Sequence, residues 1–567
     1  MKPRLWLVGL FLGVFYAIVC LATTHNYAVG ADDAYNYFRG ERIFQYFLTG
    51  DKKILDWWTD YEAYTPYELG NHPRFAKKHP DFVGVPGVNL DAGYYNSFGY
   101  IASAASCYVF YRKLGITDAA TAHRFSNIFF GALLVAVIFW FAAEAVNPVA
   151  GFFSALAIIL YPRLFVLVQN SIKDIPVLSM YVLTVWSGWR AVERENWRRL
   201  LFSAVALGLA VGCKSTGGFA LLILLIYFLV RQIRLKKLPG RKFLLAFVLC
   251  PLITYALIYA SNPNYWPALK ALEIQQTIAQ NQKPTLPKKE LSNIFTYLLD
   301  EFKRATSPSS VHAHWTGASM PGWTTIRARY AFYVTPVITS LLALFGIIAC
   351  FKRFFKNEYE YYLILIVWLL IPLLRTAMPY SVAYGGIRLY LDYVPALCLL
   401  AGLGAAALVN WFQLKFSAPT WAKYLLLFCY LPITYKMIAT HPYQTAYFNC
   451  LIGGNRGAME KHYPATGDTS GTTYVEALKW FNKNAEKNAK IIAVNSHSLK
   501  NFGLRNDLEV TYRDREIPSG RAVYFLIKPV TWSYENDIIW PEKNRTLVKK
   551  ITVDNSPLLL IYKYKPN

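Results

Sequence analysis

Charge is what this chain of 567 residues carries least of for its size. Only 16% of it is Asp, Glu, Lys or Arg, where a soluble protein has about a quarter, and that scarcity excludes an ordinary water-soluble fold. Cysteine is sparse as well. The eight cysteines are scattered and mostly sit in apolar segments, with only Cys450 in the long C-terminal tail. Neither a disulfide framework nor a metal-ligand spacing follows from them. No nucleic-acid-binding motif accompanies the net charge of +25, the GxxxxGK[ST] spacing of a phosphate-binding loop is missing, and there is no solenoid-type repeat or low-complexity segment.

What is present is apolar: 55% of the residues are hydrophobic and 16% aromatic. "LWLVGLFLGVFYAIVCLA", "ALLVAVIFWFAAEAV", "FALLILLIYFLV" and "LCLLAGLGAAALV" are long enough, with their flanks, for spans of about 20 residues. The chain reads as an α-helical polytopic membrane protein, its first segment kept as a signal-anchor helix. Spans are expected near 4–24, 123–145, 147–168, 175–192, 199–213, 216–231, 243–261, 331–350, 360–379, 389–411 and 420–438, about eleven helices. With "MKPR" on the cytoplasmic side, the basic loops after 192, 231 and 350 all fall there too, as the positive-inside rule asks. That use of the positive charge sets nucleic acid aside as a partner.

The same count puts the 25–122 loop, the "QNSIKD" turn, the 262–330 loop and the tail outside. Within 25–122, "YNYFRGERIFQYFLTG" and "SFGYIASAASCYVFYRKLG" read as amphipathic or re-entrant helices on the membrane face. Residues 1–438 form the transmembrane domain, and 439–567 a small soluble α/β domain. In that domain "TTYVEALKWFNKNAEKN" has helical spacing, with a Thr cap and Glu476 in its first turns. "KIIAVNS", "LEVTYR", "RAVYFLIK", "LVKKITV" and "PLLLIYKY" read as short strands.

The notable ionisable residues then gather on one side. Asp32 and Asp33 follow the first span, and Lys173, Asp174, Lys214, Arg375 and Arg388 lie at or near outer helix ends. Ionisable groups at membrane depth are functional candidates by default. Two plainer readings stand beside this one: an Asp there makes a good helix cap, and Lys or Arg near a helix end can reach the headgroups without further role. Lys214 differs because "GCKSTGG" is a glycine-flanked turn between spans, where backbone N–H groups beside an ammonium suit an anion. Carboxylates beside cations suit a substrate with a hydroxyl and a phosphate: a carboxylate can take the proton of an attacking hydroxyl, and cations can stabilise charge on a leaving phosphate.

The order of "ADDAYNYF", His72-Pro73, "AHRFSNIFFGALLVAVIFWFA", "LYPRLFVLVQNSIKDIPVLSMYVL", "LGLAVGCKSTGGFALL" and "GGIRLYLDYVPALCLLAGLG" resembles the GT-C membrane glycosyltransferases, in particular bacterial relatives of the protein O-mannosyltransferases. "HPYQTAYFNCLIGGNRGA" resembles the start of the soluble tail in bacterial members. The resemblance implies a GT-C-like fold and an inverting glycosyltransferase taking hexose or pentose from a polyprenyl-phosphate sugar donor to a hydroxyl on a glycan, lipid or protein acceptor. By position Asp32 would be the general base and Asp33 the second acid, where relatives often have Glu. Asp174, as donor or metal site, and Lys214, Arg388, Lys173 and Arg375 would surround the donor phosphate, and His72 would belong to the acceptor loop. A divalent cation (Mg or Mn) is a possible cofactor. The expected place is a bacterial inner membrane, with membrane lipid around the spans and the site and tail extracytoplasmic. An oligosaccharide ligase or polymerase of similar fold, and a secondary transporter, are the alternatives; transporters hold their charges at mid-bilayer in repeated halves, and no repeated half is visible here. A reporter that fluoresces only in the cytoplasm, fused after Asn567, is expected to stay dark; a bright signal would mean a miscounted span.

Overall fold

In the computed structural model, the described residues are 3–28, 31–50, 96–236, 239–262, 322–354, 360–379, 381, 386–416, 419–493, 504–511, 520–529 and 544–564. The first helices are α1 (Pro3–Thr23), α2 (Ala31–Thr49), α3 (Phe98–Cys107), α4 (Ala119–Ala145), α5 (Pro148–Ile159), α6 (Pro162–Asn170), α7 (Asp174–Glu193), α8 (Trp197–Cys213), α9 (Phe219–Leu235) and α10 (Arg241–Ala260). After residue 321 come α11 (Ile326–Val334), α12 (Val337–Phe354), α13 (Glu360–Ala377), α14 (Tyr393–Phe416), α15 (Pro419–Phe428) and α16 (Leu431–Ala439). The tail adds α17 (Gly454–Glu460), α18 (Thr473–Asn484) and strands β1 (Lys490–Ala493), β2 (Glu509–Thr511), β3 (Val523–Ile527), β4 (Arg545–Val553) and β5 (Ser556–Tyr564). The protein is a helical integral membrane protein with a small C-terminal α/β domain.

Local chemistry sets many boundaries. Asp118 caps α4, accepting from the Thr121 N–H at 3.0 Å, and Asn147 caps α5 through the Ala150 N–H at 2.9 Å, with Pro148 in the first turn. Every predicted span overlaps at least one helix, but the helices are less uniform than expected. Among the described residues five are long and apolar enough to cross a bilayer, or seven if each of two bent pairs is one span. α5 and α6 meet at a 64° bend, and α11 and α12 at 116°. Both breaks precede a proline, Pro162 and Pro336, which disfavours helical backbone in the residue before it. Tyr161 and Thr335 are those residues, both extended, and Tyr161 Oη lies 3.1 Å from Thr335 Oγ1 and 2.6 Å from Tyr393 Oη. The predicted span 420–438 is interrupted between Phe428 and Leu431.

Small residues let the helices close. A Cβ at Gly404 or Gly402 of α14 would overlap the carbonyl oxygen of Leu342 in α12 or of Ala150 in α5, the close approach expected where lipid offers no hydrophobic drive. Charge segregates along the bundle. At one end Glu144 accepts from Arg194 at 3.1 Å and forms an ion pair with Arg190, Nε lying 3.0 Å away, while the groups around Asp174 lie at the other end of α7.

In the tail the sheet order is β2-β1-β3-β5-β4, with β1 parallel to β2 and β3, and β5 antiparallel to β3 and β4. All five predicted strands are present. The expected Thr cap of α18 is corrected: Thr472 makes no capping bond, and Asp468 Oδ2 accepts from the Thr473 N–H at 2.7 Å instead. Burial pushes the Asp468 carboxyl up, but Lys528 and its hydrogen bonds to Thr473 and Ser470 outweigh that and hold it below its ordinary value. The β4–β5 turn, Asp554-Asn555, has both residues at positive φ, 52° and 59°, as a two-residue hairpin requires. Asp554 pairs with Lys436 of α16, which docks the tail on the helical domain.

A second tie joins the tail to the end of α1. His441 Nε2 lies 2.8 Å from Asn26 Nδ2, and Tyr27 donates to Gln444 Oε1 at 2.8 Å. Burial, with His25 nearby, holds the His441 imidazole below its ordinary value of 6.5. The unfolded chain therefore takes up this proton first as pH falls. The stability that neutral His441 contributes is present above about pH 6.5 and lost as pH drops toward its lower native value. The thermal midpoint of the purified protein should thus fall between pH 7 and pH 5, and His441→Gln should flatten that dependence; an unchanged slope would show that His441 does not titrate on unfolding.

Candidate active site

The segment leading to the acid pair is held by its own backbone. The Arg124 guanidinium, buried on α4, donates to the carbonyls of Thr24 at 2.8 Å, Tyr27 at 3.0 Å and Ala28 at 2.7 Å, charge-assisted bonds in a fixed fork. Asp32 and Asp33 then fall in the first turn of α2. Asp33 is buried, the side chain of Asp32 lies outside the described residues, and so does His72 with the rest of its loop.

The second group forms where α7 begins and α8 ends. Asp174 is 1% exposed, and its carboxylate accepts from Lys214 Nζ at 2.7 Å, Arg388 Nε at 2.6 Å and Ser171 Oγ at 2.7 Å. Lys173, also buried, precedes it in sequence. The 214 turn has the form expected from its glycines. Lys214 ends α8 in extended backbone, residues 215–218 make one tight turn, and a Cβ at Gly217 would overlap the backbone of Ala210. Lys214 is 5% exposed, so its ammonium lies on Asp174 rather than in solvent. A carboxylate already engaged by two cations is a poor ligand for a third.

Arg375 sits in an adjoining pair. It donates to the Leu389 carbonyl at 2.9 Å and lies 3.4 Å from Asp392 Oδ1, with its guanidinium 4.7 Å from the ring centre of Phe219, the residue that opens α9 beyond the Lys214 turn. Lys214 also acts electrostatically on Asp392. Among the described residues, Lys173, Lys214, Arg375 and Arg388 thus lie in one region with Asp174 and Asp392.

The structure brings together Asp174, Lys214, Arg388 and Lys173, with Arg375 alongside. The helix that carries the acid pair packs toward this cluster through α3. Gly40 of α2 meets the Tyr100 carbonyl of α3, and Gly99 of α3 meets the Ile172 carbonyl in the turn before Asp174. Sequence reading passed over Asp392, Ser171 and Arg124. The rule that flagged Arg388, an ionisable group at membrane depth, applies equally to Asp392 in "LYLDYVP" and to Arg124 in "AHRFSN".

Residues 104–265 match the family model of the dolichyl-phosphate-mannose-protein mannosyltransferases. This mannosyltransferase-like stretch carries Arg124, Lys173, Asp174 and Lys214 and stops short of Arg375 and Arg388. No curated protein matches the chain in sequence. Among solved structures, the ArnT from Cupriavidus metallidurans bound to undecaprenyl phosphate is similar over 100% of both chains, at 14% identity and a TM-score of 0.47. The oligosaccharyltransferase of Archaeoglobus fulgidus, tethered with an acceptor peptide by a disulfide bond, is similar over 90% of this chain and 64% of its own, at 12% identity and a TM-score of 0.48.

Removing one partner of a buried ion pair leaves an uncompensated charge and costs about 3–5 kcal/mol, whereas replacing the pair by apolar residues costs far less. Asp174→Asn should therefore lower the thermal midpoint strongly, and the double change Asp174→Leu with Lys214→Met should recover part of the loss. If the single variant melts like the parent protein, the cluster does not hold these helices together.

Proposed function

We propose that this protein is an inverting glycosyltransferase that moves a sugar from a polyprenyl-phosphate donor to a hydroxyl acceptor. The observation that carries the reading is the convergence of Lys214 and Arg388 on Asp174, with Lys173 and Arg375 alongside, because cations gathered at one point from separate helix ends are suited to an anion such as a phosphate. The mannosyltransferase-like stretch 104–265, which contains half of the cluster's cations, adds to it.

In this reading the Asp32 carboxylate takes the acceptor hydroxyl's proton as that oxygen forms its bond to the anomeric carbon. The bond from that carbon to the phosphate oxygen breaks on the opposite face, and its electron pair leaves with polyprenyl phosphate, inverting the centre. Lys214 and Arg388 stabilise the charge that grows on the phosphate. Asp174 keeps these two cations apart and aimed, so it acts as a positioning residue. Arg375 and Lys173 add to the field, and Asp33 orients the acceptor or, with Asp32, a divalent cation. His72 belongs to the acceptor side. The sugar, hexose or pentose, and the acceptor, whether glycan, lipid or protein, follow from loops beyond the cluster. Reaction takes place on the extracytoplasmic face of a bacterial inner membrane.

Two substitutions separate chemistry from scaffolding. Asp32→Asn should lower turnover by about 10²–10⁴-fold with the protein still folded, against about 1 kcal/mol of stability if Asp32 only caps α2. Lys214→Ala should raise the KM for a polyprenyl-phosphate sugar, lower kcat, or both, and Lys214→Arg should restore part of the loss because charge is kept while geometry changes. Donor kinetics left intact by Lys214→Ala, with lower expression only, would rule out the phosphate role. Turnover with a lipid-linked oligosaccharide and none with the monophosphate donor would indicate a ligase instead.

A further inference from the structure

Away from the cationic cluster, three buried side chains of different chemistry converge between α2, α3 and α4. They are Glu41, Cys107 and His123, exposed by 3%, 2% and 3%. Their nearest oxygen, sulfur and nitrogen atoms all lie within 4.8 Å of one another. We propose that Glu41, Cys107 and His123 bind a zinc ion that staples α2 to α3 and α4. The proposal is independent of whether the acids of α2 are catalytic.

The hydrogen bonds around the cluster aim its lone pairs inward. Ser103 Oγ donates to the His123 carbonyl at 3.1 Å, so it accepts from His123 Nδ1, 3.0 Å away. That fixes the Nδ1–H tautomer of the neutral ring and leaves the Nε2 lone pair facing Glu41 Oε1 at 3.3 Å. The buried Glu41 carboxylate thus faces both the His123 ring and the Cys107 thiol, with Oε1 turned to Nε2. Its partner Oε2 is occupied by Arg112 Nη2 at 3.0 Å, as an outer residue orients a ligating carboxylate. Two lone pairs face to face repel unless something positive stands between them.

A proton between Glu41 and His123 leaves the Cys107 sulfur only a hydrogen bond to the same carboxylate; a metal ion uses a lone pair of all three. Zinc bonds of about 2.0–2.3 Å in tetrahedral geometry place ligand atoms roughly 3.3–3.8 Å apart, and the 3.3 Å between Nε2 and Oε1 is already at that spacing. A thiolate, an imidazole and a carboxylate are the donor set of zinc rather than of magnesium or calcium. Binding releases the Cys107 proton to solvent, and thiolate plus carboxylate then balance the two charges of the ion. The ring of Tyr37, stacked on His123 at 4.2 Å, holds the imidazole plane and joins α2 to α4 on the same spot.

The full-length protein, purified in detergent and stripped with a chelator, is titrated with zinc or cobalt alone. One equivalent per chain is expected, with a near-ultraviolet thiolate-to-cobalt charge-transfer band and a higher thermal midpoint in zinc. Cys107→Ser and His123→Gln should each abolish stoichiometric uptake and the band, and Cys450→Ser should leave both unchanged. Ser103→Ala keeps all three ligands and should weaken zinc about 10–100-fold, the usual effect of losing an outer partner. No uptake by the folded parent protein, a cobalt complex without the thiolate band, or full uptake by Cys107→Ser would each overturn the site and leave an acid–imidazole pair sharing a proton.

Discussion

A single carboxylate fixes the relation between distant parts of this chain. Asp174 is buried at the start of α7, and its two nearest cations come from the end of α8 and from the segment before α14, 40 and 214 residues further on. Desolvating three charged groups together is tolerable only where each finds a partner. The ends of these helices are therefore not free to drift apart, and the turn at 214 is built to deliver its ammonium to one point.

Around that point the bundle is assembled by close backbone approach rather than by bulk. Glycines at 40 and 99 let α2, α3 and the turn at 171–173 stack directly on one another. Whatever holds α2 in place is thereby transmitted to the backbone next to Asp174. The tail is tied in twice, through Asp554 on Lys436 and through His441 beside Asn26 and Tyr27. A small soluble domain with its own core is thus linked to the end of the first helix.

Much of this was legible in the sequence because the signals are local. Apolar runs located the helices, turn residues bounded the five strands, and the glycines around Lys214 announced a tight turn. Ionisable residues at helix ends pointed to Asp174, Lys214 and Arg388, although nothing in their spacing said that one would hold the other two. What could not be read depends on three dimensions. The bends before Pro162 and Pro336 turn two expected spans into angled pairs, and their stabilising hydroxyl cluster joins residues 161, 335 and 393. Thr472 had the look of a cap, but Asp468 reaches the same N–H from a loop. Glu41, Cys107 and His123 share no motif spacing, since three separate helices supply them.

The Arg124 fork on the carbonyls of residues 24–28 bears on how the first helix meets its lipid. Leu7, Leu10, Phe11 and Ile18 of α1 are exposed, so much of that helix faces the acyl chains rather than protein. A helix of this kind answers a change in hydrocarbon thickness by tilting. Here the C-terminal exit is pinned to α4 by three hydrogen bonds, and near the start Trp6 packs on Trp140 of the same helix, its carbonyl accepting from Trp140 Nε1 at 3.3 Å. Fastened to α4 at both ends, α1 answers hydrophobic mismatch by tilting together with α4 rather than alone.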